Sequence, residues 1–211
     1  KVDAYEAGLK FKSRNFTVNL AAFREEFKNF QLNTFNGSVF LVQNISACKT
    51  DLGGLDIWVN NAAALRVQPF LEVSADDWHS LLRANLHGYF YGCRAAAAWM
   101  VSAERGRQTG RIVNVSSAAD ILVVPGLSTY IAAKGAIVAL TRTIAVELAA
   151  RGITVNAVAP GIIDSGMAHS FDQATIDRVV PMKRAGTAQE VAALVAFLAS
   201  DAAAYISGQI I

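Results

Sequence analysis

Residues 111–134 read RIVNVSSAADILVVPGLSTYIAAK. The stretch opens with a short run of Ile and Val, which is typical of a buried strand, and that run ends in Ser116 and Ser117. Tyr130 follows Ser117 by 13 residues and Lys134 follows Tyr130 by four, so both side chains lie on one face of a helix predicted over 130–150. A strand followed by a helix is the unit from which parallel α/β sheets are built.

The same alternation of apolar runs and helical patterns extends along most of the chain. Each apolar run is bounded by Gly, Asn or Asp, which favours a strand over a buried helix. Ser74 and Thr187 are predicted helix N-caps, and Gly152 is the predicted end of the 130–150 helix. The predicted strands are 9–12, 38–43, 55–59, 111–115 and 154–159, and the predicted helices are 19–30, 74–100, 130–150 and 187–199. We therefore predict an α/β fold, a doubly wound parallel sheet of Rossmann-like type with three α/β/α layers.

Composition limits the classes of function. The chain has 211 residues, 53% apolar and 17% charged, and can bury a full core as one domain. With 19 basic against 17 acidic residues it has no net field that would attract nucleic acid, and no apolar run reaches the roughly 20 residues of a membrane span. Cys48 and Cys93 lack the spacing of a disulfide framework or a zinc site, and the three histidines lack metal-like spacing. We expect reduced thiols, no metal and a cytoplasmic location.

Tyr130 and Lys134 form a candidate acid–base pair. A nearby cation favours the phenolate, which lowers the pKa of a tyrosine from about 10 toward the range of an acid–base catalyst. The same spacing also occurs by chance in many helices, with the tyrosine at the surface and the lysine solvated. Ser117 favours the catalytic interpretation, because ligands bind at the carboxyl ends of strands in an open α/β sheet.

A serine at a strand end followed by Tyr130-x-x-x-Lys134 resembles the short-chain dehydrogenase/reductase family. Residues 55–63, LDIWVNNAA, resemble the family's strand followed by Asn-Asn-Ala-Gly, with Ala63 in place of the Gly. Asn85 matches the helix asparagine of the family's catalytic tetrad. Residues 156–165, NAVAPGIIDS, resemble the family's Pro-Gly-x-Ile-x-Thr segment, with a serine in place of the Thr. Within the family, residues 55–211 resemble the 3-oxoacyl-(acyl-carrier-protein) reductase branch, which shares these motifs with sugar and polyol dehydrogenases.

The resemblance implies an NAD(P)-dependent oxidoreductase that transfers a hydride between nicotinamide and a small-molecule carbonyl or secondary alcohol. Ser117 would hold the substrate oxygen, and Tyr130 would give or take its proton. Lys134 would lower the tyrosine pKa while it binds the nicotinamide ribose hydroxyls, and Asn85 would hold a water that links Lys134 to bulk solvent. A sugar, polyol or other alcohol is the alternative substrate to a 3-oxoacyl thioester. A homotetramer is implied as well. The implied cofactor-binding residues are Arg14, Asn61, Ala62, Tyr130, Lys134, Pro160, Gly161, Ile163 and Ser165.

The choice of cofactor depends on the residues that follow the strand at 9–12. An acidic residue there accepts from the ribose 2′-hydroxyl of NAD, whereas a basic residue pairs with the 2′-phosphate of NADP. Residues 12–15 read KSRN and contain no acid, so Arg14 favours NADP over NAD. The alternative for Arg14 is a solvated cation at a strand end.

Three elements of the family are not found in the sequence. There is no Gly-rich turn for the cofactor pyrophosphate, and residues 2–11 resemble the end of the first helix running into the second strand. Only eleven residues, 44–54, separate two predicted strands, where a parallel crossover needs a dozen or more. We expect 1–211 to form a single dinucleotide-binding and catalytic domain that lacks its first strand and Gly-rich loop, a helix near 48–51 and the end of its last strand. If that loop is truly absent, the alternative is a non-catalytic scaffold or binding protein.

Overall fold

The strands form two separate sheets. A computed structural model of the protein describes residues 55–102, 109–121, 124–165 and 172–211, and the backbone of 5–12 and 17–24. The strands are β1 (Tyr5–Lys12), β2 (Thr17–Arg24), β3 (Ile57–Asn60), β4 (Gly110–Val115) and β5 (Ile153–Val158). β1 pairs with β2, and the other three strands form a parallel sheet in the order β3, β4, β5.

The parallel sheet confirms the predicted α/β class. Strands predicted at 55–59, 111–115 and 154–159 are present with bounds that differ by at most two residues. Ile210 adds a parallel bridge to Ala157 at the far edge of β5, with hydrogen bonds of 2.8 Å from Ala157 N to Gln209 O and 3.0 Å from Ile211 N to Ala157 O. The site residues are therefore attached to a doubly covered sheet of Rossmann type.

β4 is buried on both faces, which is why its sequence is mostly apolar. Ile112 packs into a cluster with Met100 and Ala145 on one face, and Val113 packs into a second cluster with Leu198 on the other. Both β4 side chains are 0% exposed. Successive side chains of a strand point to opposite faces, so a strand between two helical layers takes apolar residues or, as at Asn114, a polar residue whose hydrogen bonds are satisfied.

The helices begin and end where local capping residues predict. Ser74 Oγ accepts a 3.1 Å hydrogen bond from Asp77 N, and Thr187 forms a capping box with Glu190. A short 3₁₀ turn after the longest helix ends at Gly152, whose φ of 68° lies in the left-handed region that favours glycine. The helices are α1 (Ala75–Leu82), α2 (Gly88–Met100), α3 (Ser128–Leu148), α4 (Gln173–Val179) and α5 (Ala188–Leu198), with a π-helical turn at Arg83–His87 between α1 and α2. The helices predicted at 74–100, 130–150 and 187–199 are confirmed, and α4 was not predicted.

The N-terminal prediction is wrong in three places. The predicted strand at 9–12 lies in β1, which pairs antiparallel with β2 and is not a strand of the parallel sheet. The predicted helix at 19–30 is a strand over 19–24, and the residues from Tyr5 onward belong to a strand rather than to the end of a helix. The antiparallel register pairs Leu9 with Leu20 and Phe11 with Val18, so apolar positions alternate along both strands. Residues 19–24 fit both this two-residue alternation of a strand and the three- to four-residue spacing of a helix, and the structure has the strand. Residues 25–30, the predicted strand at 38–43 and the segment 44–54 lie outside the described residues.

A buried polar network ties β3 and β4 to the helices beside the site. Asn60 Nδ2 donates to Asn114 Oδ1 at 2.8 Å, and Trp58 Nε1 donates to Asn60 Oδ1 at 2.8 Å. Asn114 Nδ2 in turn donates to Thr141 Oγ1 of α3 at 2.9 Å, and Asn60 Nδ2 lies 3.2 Å from the Cys93 thiol of α2. Because buried amides are costly when unpaired, this network fixes the relative position of the two strand ends.

Gly92 allows this network to form, and we expect Gly92→Ala to destabilise the protein by about 1–3 kcal/mol through overpacking. A Cβ at Gly92 would lie 2.5 Å from Asn60 Oδ1 and 2.9 Å from Trp58 Nε1. Gly135→Ala in α3 is the matched control, because a Cβ there meets nothing within 4 Å. Alanine in a helix is favoured over glycine by up to about 1 kcal/mol, so the control keeps or raises stability. Urea unfolding measures the free energy of unfolding of both variants. Equal effects of the two substitutions would contradict the assignment of Gly92 as the residue that leaves room for Asn60 and Trp58.

Candidate active site

Ser117 follows the carboxyl end of β4, the central strand of the parallel sheet. Its Oγ accepts a 3.2 Å hydrogen bond from Ala119 N and caps a one-turn 3₁₀ helix, Ala118–Asp120. Ser116 is buried and donates through Oγ to the backbone carbonyl of Lys134 at 3.0 Å. The end of β4 is thereby joined to α3, the helix that carries the predicted acid–base pair.

Tyr130 and Lys134 lie next to Ser117, as the sequence predicts. The Lys134 side chain is 1% exposed, and its Nζ donates to the backbone carbonyl of Val115 at 2.7 Å. The same Nζ lies 5.6 Å from the centre of the Tyr130 ring. Tyr130 is half-buried, and its phenol forms a hydrogen bond with the Ser117 side chain. The three side chains therefore converge at one strand end.

The electrostatics of the pair differ from the expectation. Burial raises the pKa of Tyr130, and the hydrogen bond with Ser117 offsets only part of that rise. Burial lowers the pKa of Lys134 to about 7, because the ammonium is removed from water without a carboxylate partner among its described contacts. The expected lowering of the tyrosine pKa by Lys134 is therefore not found: burial, which residue spacing does not reveal, dominates and raises the pKa. Tyr130 is a protonated phenol at neutral pH.

Asn85 lies in the π-helical turn and is 0% exposed. Its Oδ1 accepts from Ala64 N at 2.7 Å, and its Nδ2 donates to Ala64 O at 2.8 Å. Ala64 belongs to the loop after β3 that carries Asn61 and Ala62, both half-buried. Asn85 thus fixes this loop against the helix, and π-helical turns are frequent at functional sites.

The segment after β5 lies at the same end of the sheet, where the strands have their carboxyl ends. Pro160 O accepts from Ala118 N at 3.0 Å, next to Ser117. Ile163 forms a parallel bridge with Gly186, and Asp164 N donates to Gly186 O at 2.8 Å. Gly161 is exposed, with open space where a Cβ would be. Ser165 is half-buried.

Comparison with known proteins agrees with this geometry. Residues 40–211 match the model of a family described as enoyl-(acyl carrier protein) reductase, one of the short-chain dehydrogenases. The chain belongs to the short-chain dehydrogenase/reductase family.

Several curated members of the short-chain dehydrogenase/reductase family are similar to the chain. A 3-oxoacyl-(acyl-carrier-protein) reductase of Synechocystis sp. is 40% identical over 156 residues, which are 74% of this chain and 62% of that protein. The corresponding reductase FabG of Staphylococcus epidermidis is 34% identical over 208 residues, which are 97% of this chain and 83% of that protein. A 3beta-hydroxysteroid dehydrogenase 1 of Eggerthella lenta is 38% identical over 167 residues, 77% of this chain and 63% of that protein. The chain thus spans less than two thirds of the length of several relatives.

The family implies a nicotinamide cofactor, and the residues at this edge fit its nicotinamide ribose end. The Lys134 ammonium has three N–H donors, two of which have partners among its described contacts, so one donor is available to a ribose hydroxyl. Asn61 and Ala62 after β3 and Pro160 to Ser165 after β5 flank the pair from two sides of β4. Arg14, the residue predicted to meet the adenine ribose, lies outside the described residues.

One residue of the site was missed from the sequence. Tyr89 follows Asn85 by four residues, and its hydroxyl contacts both Val115 and Lys134. The four-residue spacing from Asn85 was a usable signal, because it repeats the Tyr130 to Lys134 spacing on the facing helix.

The described residues form neither a metal-binding cluster nor a membrane-spanning helix. No group of three or more His, Cys, Asp or Glu side chains stands close enough to hold a metal ion in this part of the chain. None of the described helices combines the length and apolar character that crossing a bilayer requires.

Proposed function

We propose that the protein is an NAD(P)-dependent reductase that acts on a carbonyl, with a 3-oxoacyl thioester as substrate. The observation that carries the proposal is the convergence of Ser117, Tyr130 and Lys134 at the carboxyl end of β4, with the Lys134 Nζ 5.6 Å from the Tyr130 ring. Ligands bind at this edge in open α/β sheets. The family membership and the reductase relatives support the same reaction class.

Each residue of the site has a role in this reaction. When bound, the nicotinamide supplies the hydride. Ser117 holds the substrate oxygen by a hydrogen bond, and Tyr130 donates a proton to that oxygen as negative charge develops on it. Lys134 donates to the ribose hydroxyls and, in its charged form, stabilises the phenolate that remains after proton transfer.

Burial raises the pKa of Tyr130, so the phenol holds its proton at neutral pH before a substrate binds. A phenol that keeps its proton at neutral pH is a general acid, whereas alcohol oxidation needs the phenolate as a base. After the proton transfer to the substrate oxygen, Lys134 gives a proton to the Tyr130 phenolate, and a water held by Asn85 would replace the proton on Lys134. Because the Asn85 amide bonds to Ala64 through both of its polar atoms, the water is held by the main chain of the π-helical turn.

The test of this function is a screen of NADPH and NADH oxidation with β-ketoacyl thioesters, simple ketones, steroid ketones and sugars. Reduction of β-ketoacyl thioesters above the others is expected. A preference for sugars or polyols is the second outcome and would replace the thioester assignment, while the absence of turnover with every substrate would favour a scaffold. Titration of cofactor against the fluorescence of Trp58 and Trp78 separates a scaffold that binds no cofactor from an enzyme given the wrong substrate.

Arg14 supports NADP as the preferred cofactor, and we expect Arg14→Asp to shift the ratio of kcat/KM for NADPH over NADH by about tenfold or more toward NADH. The reason is loss of a cation that pairs with the 2′-phosphate and gain of an acceptor for the 2′-hydroxyl. Arg178→Asp is the matched control, since Arg178 is an exposed arginine of α4. An unchanged ratio in Arg14→Asp would overturn the assignment.

We also propose a cytoplasmic homotetramer. Two long helical segments, α1 with α2 and α3, expose apolar side chains that a second copy would cover: Phe90 is 46% exposed and Val146 80%. Light scattering of the full-length protein measures the mass, and a monomer would contradict the tetramer.

A further inference from the structure

A second buried phenol contacts Lys134 from α2. Tyr89 is 1% exposed, and its hydroxyl donates to Val115 O at 3.0 Å. The Lys134 Nζ donates to the same carbonyl at 2.7 Å and lies 3.4 Å from the Tyr89 hydroxyl oxygen. The three polar atoms therefore form a closed triangle at the end of β4, next to Ser116 and Ser117.

The Lys134 ammonium also lies near two aromatic rings. Its Nζ is 5.1 Å from the centre of the Tyr89 ring and 5.6 Å from the centre of the Tyr130 ring. Both distances are within the roughly 6 Å over which a ring attracts a cation. The Tyr89 hydroxyl oxygen is the nearer group to the ammonium, and through it Tyr89 stabilises the charged form of Lys134.

We propose that Tyr89 is a positioning residue, which acts through Lys134 by holding the ammonium between α2 and the end of β4 at a fixed distance from Tyr130. The proposal rests on the function proposed above for Lys134 and Tyr130, and it adds a residue from a third element to their site. Lysine has a long, flexible side chain, so a buried ammonium needs fixed partners to remain in one place.

Tyr89 does not exchange protons in this role. Burial raises the pKa of Tyr89 well above its usual range, and the neighbouring Tyr130 and Cys93 raise it further. The phenol therefore stays neutral while Lys134 titrates. The Val115 carbonyl accepts from both the Tyr89 hydroxyl and the Lys134 ammonium. The Tyr89 oxygen in turn accepts from the ammonium.

The titratable groups around Lys134 come from two helices. Tyr89 from α2 and Tyr130 from its own helix face the ammonium, and Cys93 of α2 lies behind Tyr89, with its thiol pKa raised to about 11 by burial. From β4, the partner of the ammonium is the Val115 carbonyl, which does not titrate, and the Ser116 hydroxyl after β4 bonds to the backbone carbonyl of Lys134. Among these described neighbours, removing the Tyr89 hydroxyl takes away a hydrogen-bond partner of the ammonium and leaves Tyr130 and Ser117 in place.

The experiment is a pH titration of Lys134 by nuclear magnetic resonance in the full chain labelled at lysine Cε, measured without substrate or cofactor. The Lys134 signal is assigned by its loss in Lys134→Arg. In Tyr89→Phe, which keeps the ring and removes the hydroxyl, the midpoint of Lys134 is expected to fall by about 0.5–1 pH unit, because a hydrogen bond to a charged group favours the charged form. Tyr91→Phe is the matched control, since Tyr91 is a 53% exposed tyrosine of the same helix and its loss leaves the midpoint unchanged.

Two further measurements complete the test. With substrate, kcat of Tyr89→Phe is expected to fall on the order of 10-fold, the cost of a displaced catalytic group. In the wild-type protein, a nuclear Overhauser contact between the Lys134 ε-protons and the Tyr89 ring is expected, and it needs no variant. An unchanged Lys134 midpoint in folded Tyr89→Phe, or the absence of that contact, would overturn the proposal. Absence of turnover in the wild type would count against the proposed function alone.

Discussion

Tyr130→Phe is expected to lower kcat for carbonyl reduction by about 10²-fold or more, because proton transfer by a positioned side chain contributes that much to the rate. The phenol of Tyr130 is the group that can donate this proton. It forms a hydrogen bond with Ser117, and burial raises its pKa, so the proton is present at neutral pH. Phenylalanine keeps the ring near the Lys134 ammonium and removes only the donor. Steady-state kinetics with NADPH and the substrate found in the screen measures the effect.

Two controls make the result specific to the proton. Tyr91→Phe removes a phenol that is 53% exposed on α2 and is expected to leave kcat unchanged. Binding of NADPH to Tyr130→Phe, followed by tryptophan fluorescence, is expected to stay within a few-fold of wild type, since the other predicted cofactor contacts are kept. A variant that retains more than about a tenth of wild-type kcat would remove Tyr130 from the role of acid.

Lys134→Met is expected to abolish a pH dependence of stability that the wild type shows between pH 7 and about 10. Burial lowers the pKa of Lys134 from 10.5 to about 7 in the folded protein. Between these values the unfolded chain binds a proton that the folded chain does not, so the free energy of unfolding of the wild type rises with pH. Below pH 7 both states are protonated, and the folded state bears the full cost of a buried ammonium.

The size of the effect follows from the pKa difference. One pKa unit corresponds to about 1.4 kcal/mol, so the free energy of unfolding gained across this range is on the order of 4 kcal/mol. Methionine fills a similar volume and does not titrate. The difference in free energy of unfolding between Lys134→Met and wild type is therefore most favourable to the variant at pH 6 and declines as the pH approaches 10.

Urea unfolding at several pH values measures this difference, in which the other titrating groups cancel. Lys183→Met is the control for loss of a lysine charge, because Lys183 is exposed and its Nζ donates to the backbone carbonyl of Asp177. A difference for Lys134→Met that stays constant from pH 6 to pH 10 would mean that Lys134 is charged in the folded protein. Catalysis in Lys134→Met is expected to be lost as well, which links the stability cost of this lysine to its proposed role.

The parts of the fold that the sequence predicts well are those set by local rules. The β4 strand is predicted because two-sided burial produces a short run that is apolar apart from Asn114. The Ser74 and Thr187 caps are predicted because capping uses side chains within three residues. The strand β2 is predicted wrongly, because apolar residues at 18, 20 and 22 satisfy a period of two while Leu20 and Phe23 also satisfy a helical period. Pairing with β1 decides between the two, and no local rule includes that partner.

In the candidate site, too, local features are predicted from the sequence and features that depend on distant residues are not. The convergence of Ser117, Tyr130 and Lys134 follows from a strand end and a four-residue spacing, and the structure brings the three together. The bond between Asn85 and Ala64 could not be predicted, because its partner is a backbone group in a distant loop. The direction of the Tyr130 pKa was also predicted wrongly, because burial depends on the packing of α3 against β4 and not on the spacing of two residues.

The groups that would perform the chemistry are attached to the sheet and its helices, whereas the groups that would meet the rest of a substrate are in the connecting segments. Ser117, Tyr130 and Lys134 stand on β4 and α3, joined by the Ser116 hydrogen bond to the Lys134 carbonyl. The segments that face the same end of the sheet, after β3 and after β5, are loops held by a few backbone hydrogen bonds, such as those at Ala64 and Asp164. Loops tolerate substitution far better than packed elements do. A chain built in this way can acquire a new substrate by changes in its loops while its proton donor and its cation stay where they are.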